Sequence, residues 1–161
     1  MDKRVRRLLD VAGTTYASQA RITMSDKPMP LFQLLVLCML ASKPIDAGIA
    51  MAAGRVRDDY AGDLRRLADR SQHDPSAAKR MLKQFKGIGD TGADIYLREV
   101  QDVWAWVRPY FDARATGTAR QLGLPATPEQ LGSLAPQANA RLAAALVRVS
   151  LDDDMRRRVT G

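Results

Sequence analysis

The chain has 161 residues, 46% of them hydrophobic, and a formal net charge of +7 with a pI near 10.0. That length holds one compact domain or two small lobes around a real apolar core. A single cysteine, Cys38, excludes an internal disulfide, and one histidine leaves no ligand set for zinc or an iron–sulfur centre, so no such cofactor and a reducing, cytoplasmic setting are expected.

Apolar residues recur at three- and four-residue spacing almost throughout, and no β-branched run alternates with polar residues for long enough to make a strand. The chain is therefore predicted to be all-α. The first helix spans 2–22 with a break near Gly13. Asp10, Gly13, Thr14 and Thr15 interrupt what an export signal would need as a continuous apolar stretch. Pro28 and Pro30 precede a buried helix at 30–41, whose apolar run is far short of the roughly 20 residues that cross a bilayer, so no membrane association is expected. Pro44 opens a helix at 44–54. The stretch Arg55 to Arg70 interleaves arginines with Asp58, Asp59, Asp63 and Asp69, the pattern of a solvated face on a helix at 59–71. Asp74-Pro75-Ser76 starts the next helix, 75–85, and further helices follow at 90–102, 112–122 and 134–150. Thr127-Pro128-Glu129-Gln130 reads as a short N-capped helix. The tail, with Asp152 to Asp154 followed by Arg156 to Arg158, is expected to fray.

Positive charge attracts polyanions because each neutralised phosphate releases a condensed counterion, which puts nucleic acid first among partners. One segment gives that charge a target. From Met81 to Asp94 the chain ends a helix, turns through Gly87-Ile88-Gly89 and starts another. Glycines adopt backbone angles closed to other residues and let N–H groups approach a ligand, and N–H groups at a helix start suit a phosphate oxygen. Ile88 is expected to point back between the helices and lock the turn, with Lys79, Arg80, Lys83 and Lys86 nearby. The plainer alternative is a turn that only ends one helix and begins the next.

The segment Phe85-Lys86-Gly87-Ile88-Gly89-Asp90-Thr91-Gly92-Ala93 resembles the Leu-Pro-Gly-Val-Gly-x-x-Thr-Ala hairpin of the helix-hairpin-helix DNA glycosylases, the superfamily of endonuclease III. Tyr110-Phe111-Asp112-Ala113-Arg114, continuing to Arg120-Gln121-Leu122-Gly123-Leu124, is similar to the stretch that carries the family's catalytic aspartate. Asp112 lies 23 residues after Gly89, close to the family spacing. Upstream, Leu40 to Asp46 resembles the family's Leu-Ser-x-Gln-x-x-Asp, with Lys43 in place of the glutamine that wedges into the duplex. The similarity covers about Leu31 to Leu124. It implies a two-lobed helical glycosylase fold, with residues 28–105 as one lobe and 1–27 plus 106–161 as the other. A DNA cleft is expected between the lobes. It also implies double-stranded DNA as partner, a monomer, and a monovalent cation at the carbonyls of Phe85 and Gly87.

On the chemistry, breaking a base–sugar bond requires the nucleotide to leave the stack and builds positive charge on the sugar, which a carboxylate stabilises while orienting water. Asp112 is the candidate, ionised at the start of its helix, where it would also serve as an ordinary N-cap. Lys43, Lys83, Lys86, Gly87, Ile88, Gly89, Thr91 and Arg114 are the candidate DNA contacts. Trp104, Trp106 and Tyr110 are candidates to stack on an extruded base, though core packing is the commoner use of such rings. Thr91 stands where lyase members carry the lysine that forms a Schiff base, so a glycosylase of this type is expected to be monofunctional. The family's histidine is Arg114, and its four-cysteine cluster loop is lacking. The alternatives are a non-catalytic DNA-binding protein on the same fold, one that recognises bent or damaged duplex, and a helical interaction domain with a purely structural turn.

Overall fold

The computed structural model describes residues 2–42 and 48–160, and every regular element among them is helical. No helix among the described residues is long and apolar enough to cross a membrane. The expected first helix is broken at Gly13 into α1 (Lys3–Ala12) and α2 (Tyr16–Gln19). Asp2 caps α1 through Arg4 N–H at 2.8 Å, and Thr15 caps α2 through Ser18 N–H at 3.1 Å. α3 (Pro28–Ser42) and α4 (Gly48–Tyr60) follow. The expected opening of a helix at Pro44 and the residue Lys43 lie outside the described residues. α5 (Arg65–Arg70) is shorter than expected, and α6 (Pro75–Leu82) starts where the Asp-Pro signal places it: Asp74 accepts from Ser76 and Ala77 N–H. α7 (Asp90–Val100), a 3-10 turn (Ala105–Val107), α8 (Ala113–Gln121), α9 (Pro128–Leu134), α10 (Asn139–Leu151) and α11 (Asp153–Thr160) complete the chain.

The buried side chains form two clusters. One draws on α3 to α7 and the 3-10 turn, with Leu35, Cys38, Leu67, Leu82, Tyr96 and Leu97 at its centre. The other joins α1, α8, α9, α10 and α11 through residues such as Leu8, Leu131, Leu142 and Leu146. Tyr16 and Met24, sequence neighbours of α1, pack on the first cluster and not on the second. Cys38 is fully buried, and burial holds its thiol pKa well above the usual value, as suits an inert core residue.

The tail is the clearest departure from expectation. Residues Asp153–Thr160 form a helix docked by buried Val159, and Asp152 caps it by accepting from Met155 N–H at 3.0 Å. Its opposed charge blocks explain why: Asp153 and Asp154 sit in the first turn and Arg157 and Arg158 in the last, the order the helix dipole favours.

The two clusters are tied together by α7. Glu99, 2% exposed, accepts from the N–H groups of Tyr16 (3.1 Å) and Ala17 (2.9 Å), closing the start of α2. From the other side, Arg141 and Arg148 of α10 donate to the carbonyls of Gly13 (3.1 Å) and Thr14 (2.9 Å). Burial raises the Glu99 pKa, although the two backbone bonds oppose the rise. A carboxyl whose folded pKa is raised adds stability that is full below its unfolded pKa and lost as pH rises through the folded value. Urea unfolding from pH 4 upward is thus expected to show stability falling through and just above the ordinary glutamate range. Glu99→Gln should remove that component, so that the difference between the two proteins changes with pH; a constant difference would count against it.

Candidate functional site

The hairpin forms from local sequence. α6 ends at Leu82, Lys83 and Gln84 continue the turn, and Ile88 N–H donates to Phe85 O at 3.0 Å. Gly87 takes φ +93°, a conformation that side-chain-bearing residues rarely adopt, and a Cβ there would also meet Met39 Cε at 3.4 Å. Ile88 is 4% exposed and belongs to the first core cluster, and it lies against Gly92, where an added Cβ would be 3.5 Å from its methyl carbons. The isoleucine therefore fixes the loop from inside.

Gly89 differs in kind. Its φ of −94° suits any residue, and a Cβ built on it meets nothing within 4 Å. Nothing in the packing calls for glycine there. It is the N-cap of α7 and offers no side-chain cap, so the first-turn N–H groups have no intrahelical or capping acceptor. Gly87, Gly89, Lys86 and Thr91 are all exposed.

Cations and acids share this surface. Lys83 Nζ reaches Asp90 at 2.8 Å, and Lys79 Nζ reaches Asp94 at 2.6 Å and Asp90 at 3.9 Å. The hydrogen bond from Lys83 lowers the Asp90 pKa. Lys86 and Arg80 have no ion-pair partner among the described residues. The cation expected at the carbonyls of Phe85 and Gly87 would find one lone pair of Phe85 O already used by the turn, so these two oxygens supply only part of a coordination shell. Among the described residues no group of three or more His, Cys, Asp or Glu side chains could hold a metal ion.

Asp112 has two partners. It is the N-cap of α8, accepting from Ala115 N–H at 2.9 Å through Oδ1, and its Oδ2 pairs with Arg98 Nη1. The side chains of both ion-pair partners are 5% exposed. The expected capping is present, whereas the expected open carboxylate facing a sugar is not: both oxygens are engaged, and the adjacent positive charge is a guanidinium. Arg114, the second residue of α8, is exposed.

The three aromatic candidates each have partners in the structure. Trp104 is 3% exposed, donates Nε1–H to Asp26 at 3.0 Å and stacks on Trp106 with ring centres 5.2 Å apart. Half-buried Trp106 meets the His73 ring edge-on at 5.4 Å. Tyr110 donates its hydroxyl to Asp94 Oδ1 at 2.5 Å, and burial together with that carboxylate pushes its pKa up. Trp104 is thus a core residue, and the Tyr110 hydroxyl is engaged by Asp94.

Sequence reasoning missed the partners. Asp90, Asp94 and Arg98 recur every four residues, so they lie on one face of α7 and take Lys83, Lys79 with Tyr110, and Asp112 in turn. Gln101, fully buried, holds Tyr110 at both backbone groups, accepting from its N–H (2.9 Å) and donating to its carbonyl (3.0 Å). Two adjacent charges, Arg98 and Glu99, inside the apolar run Ile95 to Val100 were the available signal: charges so placed need partners.

A cavity of about 400 Å³ opens where the α1–α2 connection, α7 and α10 meet, lined by Glu99, Asp102 and Arg141 among others. Neither the hairpin nor Asp112 lines it. Compared with family models, curated proteins and solved structures, the chain matches none.

Removing Arg98 would leave Asp112 charged and buried without its counterion. Arg98→Met is expected to cost about 3–5 kcal/mol in urea unfolding at neutral pH, several times the effect of an exposed substitution such as Arg57→Met. A loss under about 1 kcal/mol would show that the pair carries little of the fold.

Proposed function

We propose that the protein is a helix-hairpin-helix DNA-binding protein that grips the sugar–phosphate backbone of duplex DNA through residues 83–92. The observation that carries this is Gly89: neither its backbone angles nor its surroundings demand glycine, while the uncapped N–H groups beside it are what an approaching phosphate oxygen needs. Buried Ile88 and left-handed Gly87 support a preformed loop, which spares ordering cost on binding. Lys83 and Lys86 supply charge, with Lys83 exchanging Asp90 for phosphate. The net charge of +7 supports the same partner. Hairpin resemblance and two separate core clusters are compatible with the two-lobed arrangement of the glycosylases.

The geometry supports binding better than base excision. A carboxylate stabilises a sugar cation only if its charge is available, and the Asp112 charge is already balanced by Arg98. Excision would require Arg98 to withdraw and the carboxylate to emerge. The native protein is therefore expected to bind duplexes carrying single modified bases without generating abasic sites. Base release on any of them, abolished by Asp112→Asn, would restore the glycosylase expectation.

The direct test is Gly89→Ala. It should lower stability by no more than about 1 kcal/mol, the scale of an N-cap change, while weakening duplex binding about tenfold or more. Lys86→Ala should weaken binding to all sequences alike and reduce the salt slope by about one. Unchanged affinity in Gly89→Ala would remove the basis for the proposal.

A further inference from the structure

The hairpin is also held from outside, by α4. Two arginines of the stretch that reads in sequence as a solvated face, Arg55 and Arg70, lie against aromatic rings. The Arg55 guanidinium carbon is 5.6 Å from the centre of the Phe85 ring, Phe85 stacks on Tyr60 at 5.7 Å, and the guanidinium carbon of Arg70 is 5.2 Å from the Tyr60 ring. Phe85 and Tyr60 are both buried, at 1% and 2% exposure. Arg55 reaches beyond the ring as well. Its Nη1 donates to the Gln84 carbonyl at 2.7 Å, its Nη2 donates to Gln84 Oε1 at 2.9 Å, and its Nε lies 2.9 Å from Asp59 Oδ2 on the same helix. The Asp59 carbonyl accepts from Arg70 Nη1 at 2.6 Å, so Asp59 engages both cations.

We infer that Arg55 is a positioning residue for DNA binding: it holds Gln84 and Phe85 and thereby the direction of the N–H groups after them, an inference that rests on the hairpin being the DNA contact. Past the end of α6 the N–H groups of Gln84 and Phe85 bond back to the carbonyls of Met81 (3.1 Å) and Leu82 (3.0 Å). The Gln84 carbonyl lies beyond the helix and is taken by Arg55 from another element. The next carbonyl, that of Phe85, accepts from Ile88 N–H and starts the turn. Arg55 therefore grips the two residues immediately before the turn, one by its carbonyl and one by its ring, while Ile88 fixes the turn from within. Shape matters here as much as charge. A planar guanidinium can lie on a ring and present a fork to Gln84 at once, and a lysine ammonium cannot. A turn held in place before binding has less freedom to lose, and the saving appears as affinity without any contact between Arg55 and phosphate.

The test uses the full chain with Arg55→Lys, which keeps the charge, and Arg55→Met, which removes it; circular dichroism verifies that both fold. In the free protein the amides of Gln84, Phe85 and Ile88 should exchange about tenfold faster in either variant, a larger rise than at the centre of α10. Affinity for a short duplex should fall about fivefold in both variants alike. The slope of log affinity against log salt should stay that of the native protein, because no phosphate contact is lost. Full affinity in Arg55→Lys, with Arg55→Met weaker and its salt slope reduced by about one, would make Arg55 a phosphate contact and overturn the positioning role. A uniform rise in exchange across the chain would overturn it too, as a general loss of stability. Native affinity in both variants while Gly89→Ala weakens binding would sink this inference and spare the DNA reading; native affinity in all three would sink both.

Discussion

The buried pair of Arg98 and Asp112 is the constraint around which the molecule is arranged. Arg98 projects from α7, a helix of the first core, and Asp112 caps α8, a helix of the second. Each charge would be costly alone at 5% exposure, and together they fix where one helix starts relative to another. Glu99 on the next residue does the same for α2 with hydrogen bonds alone. One helix therefore carries the hairpin at its first turn and the ties to the rest of the chain at its last.

That arrangement separates stability from recognition. Asp112, the candidate acid of the sequence, is committed to structure, capping a helix and neutralising a buried guanidinium. The hairpin is the reverse case. Gly87 and Ile88 are accounted for by backbone angle and burial, but Gly89 is not, and a glycine that packing does not require sits beside uncapped N–H groups. Lys79 and Lys83 are paired with acids of α7, a pairing that a phosphate bound at the hairpin would have to displace.

Much of the fold was legible in sequence because helix starts are written locally. Asp74-Pro75, Thr127-Pro128 and Gly89 mark starts that the structure keeps, and Ile88 faces inward as its place between two glycines implies. The tail is the exception: its low apolar content points to fraying, whereas the order of its charges, acids in the first turn and arginines in the last, suits the helix it forms. The site was less legible. Asp112 reads both as a cap and as a catalytic acid, since both need a carboxylate at a helix start; the structure shows the cap and adds Arg98 as its partner. Arg98 is 14 positions away and meets Asp112 through tertiary packing, which no local spacing encodes. The tryptophans pose the same problem, since burial is invisible in composition: Trp104 is 3% exposed while Trp106, two residues on, is half-buried.

Backbone amide shifts during titration with a short duplex test the central claim most directly. Binding through the hairpin predicts that the largest changes fall on the amides of residues 86–92, that Asp112 and Ala115 move little, and that raising the salt reverses the shifts. Changes concentrated on α1 and α11, with the amides of Gly89 to Gly92 unmoved at saturation, would contradict it.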